Sequence, residues 1–156
     1  MALNVELHLI SESGKRQIPI EKFITGYRKT ALKKQEIIHS VFIPVPNDSI
    51  VKFYKVSKRK DLDISTLSGG FRIKIEKGYI SEMCLAFGGM AETPKRAFKT
   101  ESYLVGKRWN IEVVNEAQKI LMNEFNPISD ARSGSNFRKL VAKNLLLKFY
   151  NETSNE

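Results

Sequence analysis

The opening third of the chain alternates between apolar and polar residues. Val5, Leu7 and Leu9 are separated by Glu6 and His8, a period of two that predicts a strand with one buried and one wetted face. Ser13-Gly14 supplies a turn, and residues 16–20 read as a short return strand. Residues 21–24 fit one helical turn, and Gly26-Tyr27-Arg28-Lys29-Thr30 a polar loop. Residues 36–45, rich in Ile, Val and Phe, predict another strand, stopped by Pro44 and Pro46. Alternation resumes over 51–56 and breaks at a charged loop, 57–63. Ser68-Gly69-Gly70 leads into a strand over 71–75, Glu76-Lys77-Gly78 turns it, and 79–87 returns until Gly88-Gly89. The period then becomes helical. Pro94 behind Thr93 as N-cap predicts a helix that stops at Gly106. Residues 111–125 and 136–150 carry apolar side chains at helical spacing, and 151–156 is a polar tail expected to fray. Strands first and helices later predict an α+β fold: an antiparallel β-sheet packed against about three C-terminal helices, preceded by a short β-rich segment.

Composition narrows the function classes. In 156 residues, 42% are hydrophobic, enough for a real core and too many for a disordered polymer. No apolar run approaches the roughly 20 residues that cross a bilayer, and the first residues lack the layout of a secretion signal. The expectation is a cytoplasmic protein without a membrane segment. The formal charge of +9 is uneven: residues 1–60 hold 12 Lys/Arg against 5 Asp/Glu. Such a balance opens a nucleic-acid reading. No zinc-finger spacing, aromatic RNA-reading motif or helix-turn-helix pattern accompanies it, so a solvated basic face is the simpler account, with an anionic small molecule as a third option.

Candidate chemistry is sparse. Cys84, the one cysteine, sits in an apolar strand and reads as structural. His8 and His39 lack neighbours that would make either a base or a metal ligand. There is no Ser-His-Asp order, and neither glycine pair continues into a phosphate-binding loop. From residue pattern alone the chain is a basic α+β protein.

Several strings, taken in order, carry more. Tyr54-Lys55-Val56-Ser57-Lys58-Arg59-Lys60-Asp61-Leu62-Asp63-Ile64-Ser65 resembles the flavin-side loop of the xanthine dehydrogenase family. Leu85-Ala86-Phe87-Gly88-Gly89-Met90-Ala91, followed by Thr93-Pro94-Lys95-Arg96-Ala97, resembles the strand-to-helix joint of that family's flavoprotein C-terminal domain. Ser129-Asp130-Ala131-Arg132-Ser133-Gly134-Ser135-Asn136-Phe137-Arg138 resembles the opening of its last helix. Upstream, Gly26-Tyr27-Arg28-Lys29-Thr30 and Gln35-Glu36-Ile37-Ile38 resemble the end of its FAD-binding domain. The resemblance runs from about residue 3 to 150 and is nearest to the small iron–sulfur/FAD subunit of the bacterial enzymes. It implies that 1–48 is the C-terminal remnant of a PCMH-type FAD-binding domain, and 49–156 a CO dehydrogenase flavoprotein C-terminal-like α+β domain. The whole would be the C-terminal part of the FAD-binding subunit of a molybdenum hydroxylase.

The resemblance also implies roles. Ile38 would pack beside the adenine end of FAD. Lys55 would reach the flavin, where a cation favours negative charge on the reduced ring. Tyr27 and Arg28 would lie on the flavin and nicotinamide side. Asp61 and Asp63 would sit in a mobile loop that tunes access by NAD, with Leu62 between them leaving open which carboxylate takes the family's position. The expected partners are the N-terminal FAD and Fe-S segments and a molybdopterin-binding subunit, with NAD as electron acceptor and no nucleic acid. The family's two glycine-rich phosphate loops do not occur in this sequence, so tight FAD binding by this chain alone is not expected. Asp130 and Arg132 read as a helix cap and a turn brace. A bare assembly domain with idle cofactor contacts is the other alternative.

Overall fold

The computed structural model describes residues 1–59 and 63–154. The alternating start forms β1 (Glu6–Ser11) and β2 (Gly14–Pro19), and the Ile-rich run forms β5 (Ile37–Phe42). These make an antiparallel sheet in the order β2-β1-β5. Between β2 and β5 lie one helical turn, α1 (Ile20–Phe23), and a small hairpin of β3 (Ile24–Gly26) and β4 (Lys29–Thr30). The expected loop over 26–30 is thus a strand pair, its turn made by Arg28 at a φ of 54°. A small core of Leu7, Leu9, Ile18 and Phe23 closes one face.

That core stops short of β5. Val41 pairs with Leu7, and Ile38 with Leu9, so both extend the apolar face, yet both stay about half exposed. Ile37 and Phe42, whose register partners are Ile10 and Glu6, are exposed too. A strand apolar on both faces is the signature of an interior strand, whereas β5 here is an edge.

The second sheet is antiparallel in the order β6-β7-β8-β9, from β6 (Ile50–Val56), β7 (Leu67–Glu76), β8 (Tyr79–Gly88) and β9 (Lys95–Arg96). Lys77 and Gly78, both at positive φ, give the β7–β8 hairpin the turn that matches strand twist. Helices α2 (Phe98–Leu104), α3 (Ile111–Glu124) and α4 (Ser135–Thr153) cover one face. The main core lies between, built around the buried rings of Phe71, Phe87 and Phe149. The α+β expectation with three C-terminal helices therefore holds.

Two helix expectations are corrected. Thr93-Pro94 does not start α2. Lys95 and Arg96 pair with Phe87 and Ala86 of β8, and this sheet pairing postpones the helix to Phe98. The C-terminal tail does not fray at 151 either. The Thr153 hydroxyl accepts from the Trp109 indole N–H at 2.9 Å and donates to the Phe149 carbonyl at 2.7 Å, which keeps the last turn wound and Thr153 buried.

The glycine pair after β8 has a packing reason. Gly89 has a φ of +84°, and a Cβ there would stand 2.6 Å from the Thr66 carbonyl oxygen. One residue earlier, a Cβ on Gly88 would meet the Ser68 hydroxyl at 2.5 Å. The chain end of β8 therefore passes directly over the start of β7.

Candidate functional site

The outer face of the second sheet, away from the helices, carries small residues. Along β7 this face presents Ser68, Gly70 and Arg72, and along β8 Ala86 and Gly88. The N-terminus lies across it: the Cys84 thiol points to the Met1 carbonyl at 3.9 Å, and Ala2 packs over Gly70. Burial pushes the Cys84 thiol up to about 11, so it is an inert packing group, as its sequence context indicated. Arg96 joins the two halves. Its guanidinium pairs with Glu101 at 2.7 Å and with Glu21 of α1 at 3.4 Å.

An apolar groove of about 450 Å³ runs between the halves, lined by Ala2, Ile20, Ile24, Phe53, Gly70 and Ala86 among others. Gly70 keeps its floor open, since a Cβ there would already touch Phe53 and Ala2 at 3.4 Å. Phe53 is 67% exposed on the edge strand β6, and Lys55, two residues on, shares its face by strand alternation. A flat, largely apolar group with a polar rim fits these residues. The described residues hold no glycine-rich cradle for a pyrophosphate.

The sequence-singled residues fall on separate elements. Tyr27 and Arg28 form the β3–β4 turn, with the guanidinium carbon 5.3 Å from the ring centroid, and Tyr27 is strongly exposed. That turn begins three residues after groove-lining Ile24. Lys55 is exposed on β6 opposite Ser68; Ser68 lines the groove and Lys55 does not. Ile38 belongs to β5 in the other sheet and does not line the groove. Asp63 accepts from the Arg59 backbone N–H at 3.2 Å and faces its guanidinium at 3.8 Å. Asp61 lies outside the described residues. No described hydrogen bond or ion pair joins Tyr27, Arg28, Ile38 or Lys55 to another of the set.

Pattern reading missed two features. Phe53 looked like an ordinary strand residue, whereas Gly70 stood in the small-residue string Ser68-Gly69-Gly70. Arg138 entered the sequence reading only as the end of the 129–138 string, and it is 4% exposed. It donates to the carbonyls of Thr66 at 2.7 Å and Gly89 at 2.9 Å, and grips both Asp130 oxygens at 2.8 Å. Asp130 also accepts from the backbone N–H groups of Arg132 and Ser133. These bonds hold its carboxyl below the ordinary carboxylate range, those from the Ser133 backbone most. Asp130 therefore braces the turn, as expected, but does not cap α4, whose N-cap is Gly134 without a side-chain bond. Elsewhere, Glu36 is brought down to about 2 by the Arg16 guanidinium and the Lys33 backbone N–H, which fastens the approach to β5.

Among the described residues no cluster of three or more metal-ligating side chains occurs, and no helix is long and apolar enough to cross a membrane. Residues 52–153 match the family model of the CO dehydrogenase flavoprotein C-terminal domain, and residues 1–46 that of the FAD binding domain in molybdopterin dehydrogenase. Over 97% of its length the chain is 36% identical to a nicotinate hydroxylase of Emericella nidulans, and over 96% it is 35% identical to xanthine dehydrogenase 1 of Arabidopsis thaliana. It spans 12% of the length of each of these relatives. A carbon monoxide dehydrogenase from Hydrogenophaga pseudoflava has the same fold, with a TM-score of 0.87 at 24% identity, covering 94% of this chain and 51% of that one. The two family models, in this order along one chain, and these identities show that the protein belongs to the flavoprotein family of the molybdenum hydroxylases.

Proposed function

We propose that this chain forms part of the flavin chamber wall of a xanthine dehydrogenase-type enzyme, one that couples purine oxidation to NAD reduction. In this reading residues 1–48 are the end of the FAD-binding domain and 49–156 the domain that follows it. The iron–sulfur clusters and molybdopterin reside on other segments or subunits. The observation that carries the reading is the apolar groove with its glycine floor and cationic edge strand, in a chain of this family. The similarity to xanthine dehydrogenase 1 supports the purine branch, while the similarity to a nicotinate hydroxylase keeps the ring oxidised by the whole enzyme a matter for experiment.

Bound FAD would supply the exchange between one-electron carriers and a two-electron acceptor. The chain's own residues would do the rest. Phe53 and Gly70 would seat the flat ring and keep water from one side of it. Lys55 would set a positive charge at its polar edge. Tyr27 and Arg28 would stand at the approach of NAD, Asp61 and Asp63 would bias that approach by charge, and Ile38 would pack against the adenine end. The doubly apolar, uncovered β5 supports burial against a further polypeptide segment. Without that segment and a pyrophosphate cradle, the isolated chain holds FAD weakly.

Lys55→Ala in the assembled enzyme tests the assignment. Loss of one preorganised cation at a site of developing charge is expected to lower NAD reduction by about 10²-fold. Purine oxidation measured with an artificial acceptor that takes electrons upstream of FAD should persist. Unchanged flavin content together with unchanged NAD reduction would remove Lys55 from the site.

A further inference from the structure

A cavity of about 520 Å³ lies on the face of the β2-β1-β5 sheet turned away from its small core, lined by His8, Lys15, Gln17, His39 and Ser40 among others. The strand register builds it. His8 of β1 stands opposite Gln17 of β2 on one side and Ser40 of β5 on the other, so the three form a row across the sheet, with about 5 Å between neighbouring strands. Lys15, two positions from Gln17, joins the same face by alternation. On β5 the register slips: Ser40 pairs with His8 and Ile38 with Leu9, which leaves His39 as an extra residue. This bulge lets two consecutive residues, His39 and Ser40, line one cavity.

The lining is rich in donors and holds no carboxylate. One ammonium, one carboxamide, one hydroxyl and two imidazoles contribute, and none of these five side chains has a hydrogen bond or ion pair with another described residue. The His8 ring is stacked on Phe42, with centroids 6.4 Å apart and planes 14° from parallel, which holds one imidazole in place before any ligand arrives. Arg16, opposite Leu9 on the core side, spends its guanidinium on Glu36. Glu6 shares the face of His8 by alternation but stands opposite Phe42, outside the lining. A metal cation would meet the Lys15 ammonium and find neither carboxylate nor thiolate. An anion meets donors from three strands.

We infer that this cavity binds a small tetrahedral oxyanion, a free dianion of the sulfate or phosphate type, held by Lys15, Gln17, Ser40 and the two imidazoles. The site lies on the face of β5 opposite to Ile38, so it is distinct from the flavin chamber and does not rest on the function proposed for the groove. Histidine is the side chain that gains a positive charge between about pH 8 and pH 5, so the site strengthens as the pH falls.

NMR titration of this chain with sodium sulfate, at an ionic strength held constant with sodium chloride, tests the inference. Sulfate stays a dianion throughout, so a pH dependence belongs to the protein. His8 and His39 are the only histidines of the chain, and their ring resonances report the site directly. At about pH 6 both should shift along one saturable isotherm with a dissociation constant below about 10 mM. At about pH 8 binding should be at least about fivefold weaker. A Lys15→Ala/Gln17→Ala double variant should bind at least about fivefold more weakly at the lower pH, with an unchanged melting curve, since both side chains are exposed. Shifts that rise without saturation, the same shifts with chloride alone, equal affinity at the two pH values, or equal affinity in the double variant each overturn the inference.

Discussion

Phe71→Ala lowers the stability of this chain by about 3–5 kcal/mol, and the melting temperature by roughly 10 °C or more. Phe71 is fully buried at the centre of β7. Its ring lies 5.0 Å from Phe87, 5.3 Å from Tyr54 and 5.5 Å from Phe149, all tilted or edge-on. It therefore touches both neighbouring strands and the last helix. Removing it deletes transfer energy and leaves a cavity that three rigid rings cannot collapse into. Tyr54 would suffer next, because its hydroxyl, donated to Glu152 at 2.7 Å, ties β6 to the end of α4. Denaturant unfolding of both proteins gives the difference. A loss under about 1 kcal/mol would mean that the core is not organised around this ring.

Arg138→Leu comes close behind. The substitution keeps an apolar stem but leaves the Thr66 and Gly89 carbonyls without their donor. Each unmatched buried acceptor costs about 1–3 kcal/mol, so the pair costs about 2–4 kcal/mol, a little offset by the leucine's own burial. The local consequence is larger than the global one. Arg138 fixes where β7 begins, where β8 ends and how the turn at 130–133 sits. Hydrogen exchange of the Arg132 and Ser133 amides, which are bonded to Asp130 in the wild type, should accelerate by more than global destabilisation accounts for. Uniform acceleration across the chain would show that the clamp has no special grip on this turn. Arg138→Lys should behave almost as badly, because a single ammonium cannot hold two carbonyls and a bidentate carboxylate together.

The legible parts of the fold are those decided within a few residues. Leu7 and Leu9 alternate, Lys77-Gly78 accepts left-handed backbone, and Val114, Ala117 and Leu121 repeat at helical spacing, so strand, hairpin and helix were readable. The misread parts were decided at a distance. Thr93-Pro94 is a sound local helix signal, but Arg96 is drawn into the sheet by Ala86. Asn151 and Glu152 look like a fraying end, but Trp109 holds Thr153 from 44 positions away. The site divides the same way. Gly70 and Lys55 could be named from pattern or resemblance, whereas Phe53 earned its place only when β6 proved to be an edge. Arg138 could not be seen at all, because nothing near it in sequence distinguishes a buried guanidinium from a solvated one.

The proposed function gives the exposed apolar strand and the open groove one explanation in common: a half-site that further polypeptide and FAD would complete. Photolabelling the assembled enzyme with an azido derivative of FAD, followed by mass-spectrometric mapping, examines this most directly. Adducts on β6 or β7 of this chain, at or beside Phe53, Lys55 and Gly70, are the predicted result. Efficient labelling confined to other segments or subunits, with this chain unmarked, would contradict a flavin-facing role.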